Sequence, residues 1–549
     1  MIRTVWLLVL LCALGCGGAG QLRVPDPVPD DRRDIPTPKK NKIYVIANAF
    51  EQQVSKQAKR SFDLSRVIRK VSGSPKEAFN IDAFDGVRDS SWFTNRNGRT
   101  PLTLEEIRRG PDAGHGPDTS GTWTVVAAKS EGVTPGFTIE DSRGDRYFLK
   151  FDPPGYNELM TAAEVIATKL IYASGYHTPE NYVTYFHPDR LELGDNVTLR
   201  EEGKKRPMTP QDIDRIMRGV ERRPDGTIRA VASRFLQGKV LGPFRYEGTR
   251  KDDPNDFIPH EHRRELRGLR MIAAWLNHYD TKANNTLDVH VEGGGRRYVR
   301  HYLIDFGSTL GSRGNEPMST WTGHENFFDG GSILANTWKL GLHVPEWEKK
   351  NTTIRYPSVG LFRYEPFDPM KYKFSIPNPA FANLTNRDGY WAVKIVTSFT
   401  DEQIEAAVET GSYSNPEAAA YVARVLVERR NIMGRFWFNR VNCLDEFAVA
   451  GDPDGGQLSF VDLAVETGIE SADGRRYQYQ ILRDGKAIGE AVEMSRADPI
   501  GLPAGEAGMV EVRVRNRRGD GNWAGWVSVY VESSPDSGEY TLVAVARPD

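Results

Sequence analysis

Cysteine is nearly absent from this chain. Its 549 residues carry three, Cys12, Cys16 and Cys443. That excludes a fold stapled by several disulfides and a Cys-rich metal module. Net charge is nearly absent as well, with 72 Lys and Arg against 74 Asp and Glu. The basic clusters are short and interrupted by acids, so no stripe suits a nucleic-acid partner. Past the N-terminus no apolar run is long enough to cross a bilayer as a helix. Neither G-x-S-x-G nor H-E-x-x-H occurs, which leaves a hydrolase with little support. The ten histidines do not gather as metal ligands. His260 and His262 are close but flanked by charges, and read as surface or supporting residues rather than a zinc site.

The length implies two or three domains. Arg3 precedes an apolar run from Val5 to Leu14, too short to span a membrane and suited to a secretory signal. The string Ala13-Leu14-Gly15-Cys16 resembles a bacterial lipoprotein signal. The resemblance implies lipidation at Cys16, a membrane anchor and export to the cell envelope. Gly17 after the cysteine leans towards the outer membrane. An ordinary cleaved signal without lipid is the alternative. With Cys16 acylated and Cys12 removed, Cys443 would be left as a buried apolar residue.

Residues 17–42 are rich in Pro, Asp and Arg and read as a disordered tether. From 43 the pattern is globular. Trp123, Val125 and Ala127 alternate; Phe137 to Ile139 and Tyr147 to Phe151 follow as strands. A helix is expected over 157–173, with Leu159, Ala162, Ile166 and Leu170 on one stripe. Residues 187–225 are polar and read as a surface insertion. Glu265 to Leu276 is a further helix, followed by a hairpin over 287–304. Thr400-x-x-Gln403 is a capping box, and Asn415-Pro416 opens another helix. From about 451 short strands dominate, with Asp484-Gly485 as a hairpin turn.

The densest chemistry lies between Asn277 and Gly307. His278, Asp280, Lys282 and Asn285 are spaced H-x-D-x-K-x-x-N, and Asp305-Phe306-Gly307 ends an apolar strand. This resembles the catalytic loop and metal-binding turn of protein kinases. Leu303 to Gly311 is also similar to the phosphatidylinositol 3- and 4-kinases. The stretch from Glu164 to Gly175 before Tyr-x-Thr-Pro resembles the HipA-like kinases. Tyr279 stands where protein kinases usually have Arg, which fits that atypical branch and argues against an activation-loop switch. The G-x-G-x-x-G of ordinary protein kinases is missing.

The resemblance implies that Asp280 takes or orients the proton of an acceptor hydroxyl, and that Lys282 neutralises γ-phosphate charge. Asn285 and Asp305 would hold Mg²⁺ or Mn²⁺. Lys150, paired with Glu164, would bind the ATP phosphates. Glu158 competes with Glu164 for that pairing. Gly132 and Gly136 would bound a phosphate-side loop.

The expected fold class is α+β: a two-lobed protein-kinase-like domain over 43–450, followed by an all-β sandwich over 451–549. The N-lobe is expected over about 43–245 and the C-lobe over 246–450. The sandwich resembles fibronectin type III. The expected function is ATP-dependent phosphotransfer to a protein, lipid or sugar hydroxyl outside the cytoplasm. The alternative is a catalytically silent, kinase-shaped envelope lipoprotein that binds or scaffolds.

Overall fold

The computed structural model describes residues 28–44, 48, 51–56, 69, 75–128, 136–201, 204–326, 353–452, 455–503, 508–534 and 539–548. The signal segment, Cys16 and Gly132 lie outside the described residues. Among those residues no helix is long and apolar enough to cross a membrane.

Short helix α1 (Leu104–Arg109) opens with a reciprocal capping box between Thr103 and Glu106. Strands β1 (Trp123–Ala128), β2 (Gly136–Glu140) and β3 (Arg146–Phe151) follow. Their alternation buries Trp123, Val125, Phe137, Ile139, Tyr147, Leu149 and Phe151 on one face. Helix α2 (Leu159–Ala173) is buried on nearly every side. Glu158, its first flanking residue, is left-handed at φ 70 and offers no side-chain cap. Asp152 caps instead, accepting the N–H groups of Glu158, Met160 and Thr161 at 2.9, 2.8 and 2.9 Å. A carboxylate is well suited to those orphan donors. Asp152 lies two residues beyond Lys150, so the end of β3 sets the position of α2.

Strands β4 (Asn181–Phe186), β5 (Leu191–Leu193), β6 (Thr198–Glu201) and β7 (Lys204–Pro207) precede α3 (Pro210–Arg218) and β8 (Ile228–Arg234). The main sheet runs β4-β8-β3-β2-β1-β5, antiparallel except for β1 with β5. Residues 187–225 are therefore not a surface insertion. Leu191, Val197, Leu199, Met208, Ile213, Met217 and Val220 close the same core as β1–β3. The helix within this segment did carry a signal: Ile213, Ile216, Met217 and Val220 stand at i, i+3, i+4 and i+7, behind a Thr209–Asp212 capping box.

Strand β9 (Lys239–Gly242), helix α4 (Arg264–Trp275), β10 (Thr286–Gly293) and β11 (Arg296–Leu303) come next. β9, β10 and β11 form a separate sheet, in the order β11-β10-β9. Helices α5 (Asn386–Thr397) and α7 (Pro416–Phe438) pack on α4, and α6 (Asp401–Glu409) packs on α7, α1 and α2. The capping box of α6 and the Asn415-Pro416 start of α7 are as expected. This helical core also takes in Val87, Trp92, Phe93 and Ile107. Two parts expected in the N-lobe thus pack elsewhere: Val87, Trp92, Phe93 and Ile107 enter the helical core, and β9 pairs with β10.

Residues 28–44 are corrected too. They do not form a free tether. Ile35 is buried with Leu241 and Val299. The Ile35 N–H donates to Arg297 O at 2.8 Å on β11, and the Asn41 N–H to Leu241 O at 2.5 Å on β9. The extended, Pro-rich chain thus reaches both edges of the small sheet and satisfies groups that would otherwise stay open.

Strands β12 (Leu444–Asp452), β13 (Gly455–Asp462), β14 (Arg475–Arg483), β15 (Lys486–Ala487), β16 (Val492–Met494), β17 (Ile500–Gly501), β18 (Gly508–Arg518), β19 (Val527–Ser533) and β20 (Tyr540–Ala546) complete the chain. They form two sheets, β12-β13-β17 and β15-β14-β18-β19-β20 with β16 on β14. Leu444 and Leu458 from one meet Val510, Val512, Val514 and Val529 from the other in a common core. The expected boundary at 451 therefore falls inside β12. Glu446 is left-handed and the β12–β13 register shifts between Asp445 and Ala448, which breaks the alternation that would have marked the strand.

Candidate active site

Two carboxylates converge on one ammonium. Lys150 Nζ lies 2.8 Å from each oxygen of Glu164 and 2.7 Å from Asp305 Oδ1. Side-chain exposure grades across the trio: Glu164 1 %, Lys150 11 %, Asp305 52 %. Glu164 is the sealed anchor, and Asp305 faces solvent. Gly136 opens β2 and is the cross-strand partner of Lys150, so it lies in a strand rather than in the expected loop. Glu158 does not reach Lys150; it accepts the Ser414 N–H at 3.0 Å.

Burial alone would pull the Lys150 ammonium down, but Asp305 and Glu164 outweigh it and hold it above its ordinary value. Burial pushes Glu164 up, with Lys150 and the Phe306 N–H offsetting part of that. These directions pull oppositely on the question of a charged pair. Two carboxylates bonded to one ammonium favour a charged Lys150. Gly307 makes the fit possible: a Cβ there would stand 2.9 Å from Met160 Cγ and 3.2 Å from Glu164 Oε2.

The second group hangs from the end of α4. The Asn277 N–H bonds Ala274 O at 3.2 Å and the His278 N–H bonds Ala273 O at 2.7 Å, with Asn277 left-handed at φ 53. This paired return ends the helix sharply. Arg429 of α7 reinforces the stop, its Nε donating to Trp275 O at 2.9 Å and its other nitrogen to Ala274 O. The chain then presents Asp280, whose Oδ2 lies 2.7 Å from Lys282 Nζ. Asn285 Nδ2 donates to Asp280 O at 2.8 Å and to Oδ2 at 3.2 Å. The amide oxygen of Asn285 is left to take a ligand.

The β10–β11 register joins the two groups. Thr286 pairs with Leu303, and the Ile304 N–H donates to Asn285 O at 3.1 Å. Asp305 therefore follows directly on the strand beside Asn285, with its backbone left-handed at φ 65. Aspartate tolerates that conformation better than most residues. His278 lies between the groups. Burial pulls its imidazole down, and the charges of Asp280, Asp305 and Lys282 all reach it. A neutral ring packs edge-on against Phe306, with centroids 5.7 Å apart.

All the described residues expected at the site are thus tied into one connected region. Two further contributors were not expected at the site, although Thr309 lies within the Leu303–Gly311 stretch. Ser375 Oγ lies 3.3 Å from Asp280 Oδ1, and Thr309 Oγ1 donates to Ala163 O of α2 at 3.2 Å. His260, expected as a surface or supporting residue, is the latter: it is buried and hydrogen-bonded to Asp256 at 2.7 Å. Among the described residues no group of three or more His, Cys, Asp or Glu could hold a metal.

No protein-family model matches the chain, and no curated protein matches its sequence. Solved structures overlap it weakly. The Helicobacter pylori proinflammatory kinase CtkA has a TM-score of 0.31 and 11% identity, over 57% of this chain and 94% of that one. The Golgi casein kinase has a TM-score of 0.28 and 9% identity, over 75% of this chain and 95% of that one. A second structure of the Golgi casein kinase, with Mn and ADP bound, has a TM-score of 0.25 and 10% identity, over 61% and 74%. Overlaps this slight assign neither activity nor substrate.

Proposed function

We propose that the chain is an ATP-dependent phosphotransferase of the atypical kinase type, acting on a hydroxyl of a protein, lipid or sugar. The observation that carries this reading is the Lys150–Glu164–Asp305 trio, joined through β10 and β11 to Asp280, Lys282 and Asn285. Lys150 is charged and anchored from behind, as a phosphate-binding lysine must be. Asp280 is a carboxylate with Lys282 beside it, suited to receive a hydroxyl proton next to a phosphoryl group.

The donor set fits a nucleotide-borne divalent ion. Mg²⁺ is commonly held by one or two carboxylates together with substrate phosphates. Asp305 and the Asn285 amide oxygen would supply the protein's share, and the ion would neutralise charge on the transferred group. Lys150 would then exchange part of its hold on Asp305 for phosphate oxygens.

The reading extends to location. Cys16 would anchor the chain to the outer membrane, and the C-terminal sheets, as a fibronectin III-like sandwich, would act as a spacer. Labelled fatty acid incorporated into the wild type but not into Cys16→Ser would support the anchor; equal labelling would remove it.

Transfer from γ-labelled ATP to an envelope extract tests the activity. Asp280→Ala should abolish transfer and leave the folding transition unchanged. Equal transfer by both proteins would refute the assignment. A thermal shift with Mg-ATP that is lost in Asp305→Ala, without any transfer, would favour the silent binding module.

A further inference from the structure

A cavity of about 690 Å³ lies between the last turn of α2, the β8–β9 linker and the β10–β11 hairpin. Arg96, Tyr172, His177, Thr178, Arg300 and Tyr302 are among its walls. None of the residues assigned to phosphotransfer lines it.

Two guanidiniums meet there. Arg96 donates to the Tyr172 and Tyr176 carbonyls at 2.7 and 3.1 Å, and lies 3.8 Å from the Tyr172 ring. Arg300 donates to Tyr298 Oη at 2.6 Å. Among the described residues neither forms an ion pair with a carboxylate. Arg300 repels Arg96, and both depress the neighbouring His177, whose ring burial has already pulled down. The fold thus brings two guanidiniums to one cavity without a carboxylate paired to either; Asp89 acts on Arg96 only through space.

Beside them are two orphaned polar atoms. Thr178 is 5% exposed and its Oγ1 has no partner. His177 Nε2 is likewise buried without a partner. A buried hydroxyl left unbonded costs about 1–3 kcal/mol. A ligand with several acceptor oxygens would relieve both the repulsion and the orphaned hydroxyl, and a guanidinium binds phosphate in a planar two-point fashion.

We propose that this cavity binds a small phosphate monoester, its phosphate held between Arg96 and Arg300 and bonded by Thr178 Oγ1. Glu180 and Glu292 also line the cavity, and Arg234 is already engaged by Asp145 and Glu180. The remainder of the ligand is therefore neutral or cationic. This assignment does not depend on the phosphotransferase reading.

Phosphoethanolamine is the probe, titrated into the full chain without nucleotide or divalent ion and at constant ionic strength. Its thermal shift at about 10 mM is compared with that of glycerophosphoethanolamine, a diester, and of sodium chloride. The monoester should stabilise and the diester and chloride should not. Arg300→Gln and Thr178→Val should each weaken the response about tenfold. No shift with the monoester, an equal shift with chloride or the diester, or an undiminished response in both Arg300→Gln and Thr178→Val would each overturn the proposal. Arg300 is half-buried and bonds only tyrosine hydroxyls among the described residues, so its replacement is compatible with folding. Thr178→Val is isosteric and stands as the second variant.

Discussion

The ammonium of Lys150 is shared equally by the two oxygens of Glu164, at 2.8 Å each, across a separation of 14 residues and a change from strand to helix. The pair is buried at the junction of β3 and α2, and Asp152 caps that helix from the same strand end. Its removal should be felt in stability as well as in ligand binding.

Lys150→Met leaves Glu164 buried without a cation. A loss of about 3–5 kcal/mol is expected, as for other broken buried pairs. Asp305→Asn should cost far less, since that carboxylate is 52% exposed. Urea unfolding of the two variants compares them directly. Equal destabilisation would show that Glu164 is not held as a buried charge.

Gly307→Ala places a methyl group against Met160 and Glu164. Met160 can swing aside, but Glu164 cannot move without loosening Lys150. A stability loss of about 1–3 kcal/mol is expected, as for overpacked cores. Under the phosphotransferase reading, Mg-ATP affinity should also fall. Unchanged unfolding midpoint and affinity would show that the contact relaxes freely.

Asp112 supplies a pH dependence. Burial pushes its carboxyl from 3.8 up to about 6, with the bonded Lys169 pulling it back only in part. A carboxyl raised in the folded state favours folding at low pH, and that contribution is lost as pH rises from about 4 through 6. Relative to Asp112→Asn, the wild type should lose on the order of 3 kcal/mol between pH 4 and pH 7. A constant difference between the two proteins across the series would remove Asp112 as the cause.

Cys443 should be inert. It is fully buried, its Sγ lies 3.2 Å from Asp462 Oδ1, and burial pushes the thiol up to about 12. In a background of Cys12→Ser and Cys16→Ser, a thiol reagent at pH 8 should label the protein only after denaturation. Labelling of the native protein at a free-thiol rate would mean that the β12–β14 core opens readily.

Much of the candidate site was readable as local pattern. The H-x-D-x-K-x-x-N spacing and the strand before Asp305 lie in short stretches whose turns and periods act over a few residues. The choice of Glu164 over Glu158 comes instead from the resemblance to HipA-like kinases, whereas the capping boxes and Asp484-Gly485, with positive φ values of 51 and 74, are local signals. Strand β12 escaped notice because its bulge erases the two-residue period. The 187–225 segment was passed over for its high charge, although Ile213, Ile216 and Met217 keep a helical period there.

What the sequence determined by itself is therefore the kinds of chemical group present and the local elements that carry them. Tertiary structure alone decided which of them touch. The contact of Lys150 with Asp305 spans 155 residues, and that of Ser375 with Asp280 spans 95. Contacts of that length leave no periodicity behind, because they are set by how whole sheets and helices bury their apolar faces. The same packing drew Arg96 and Arg300 to one cavity and laid residues 28–44 across the small sheet. Composition had given no reason to expect either.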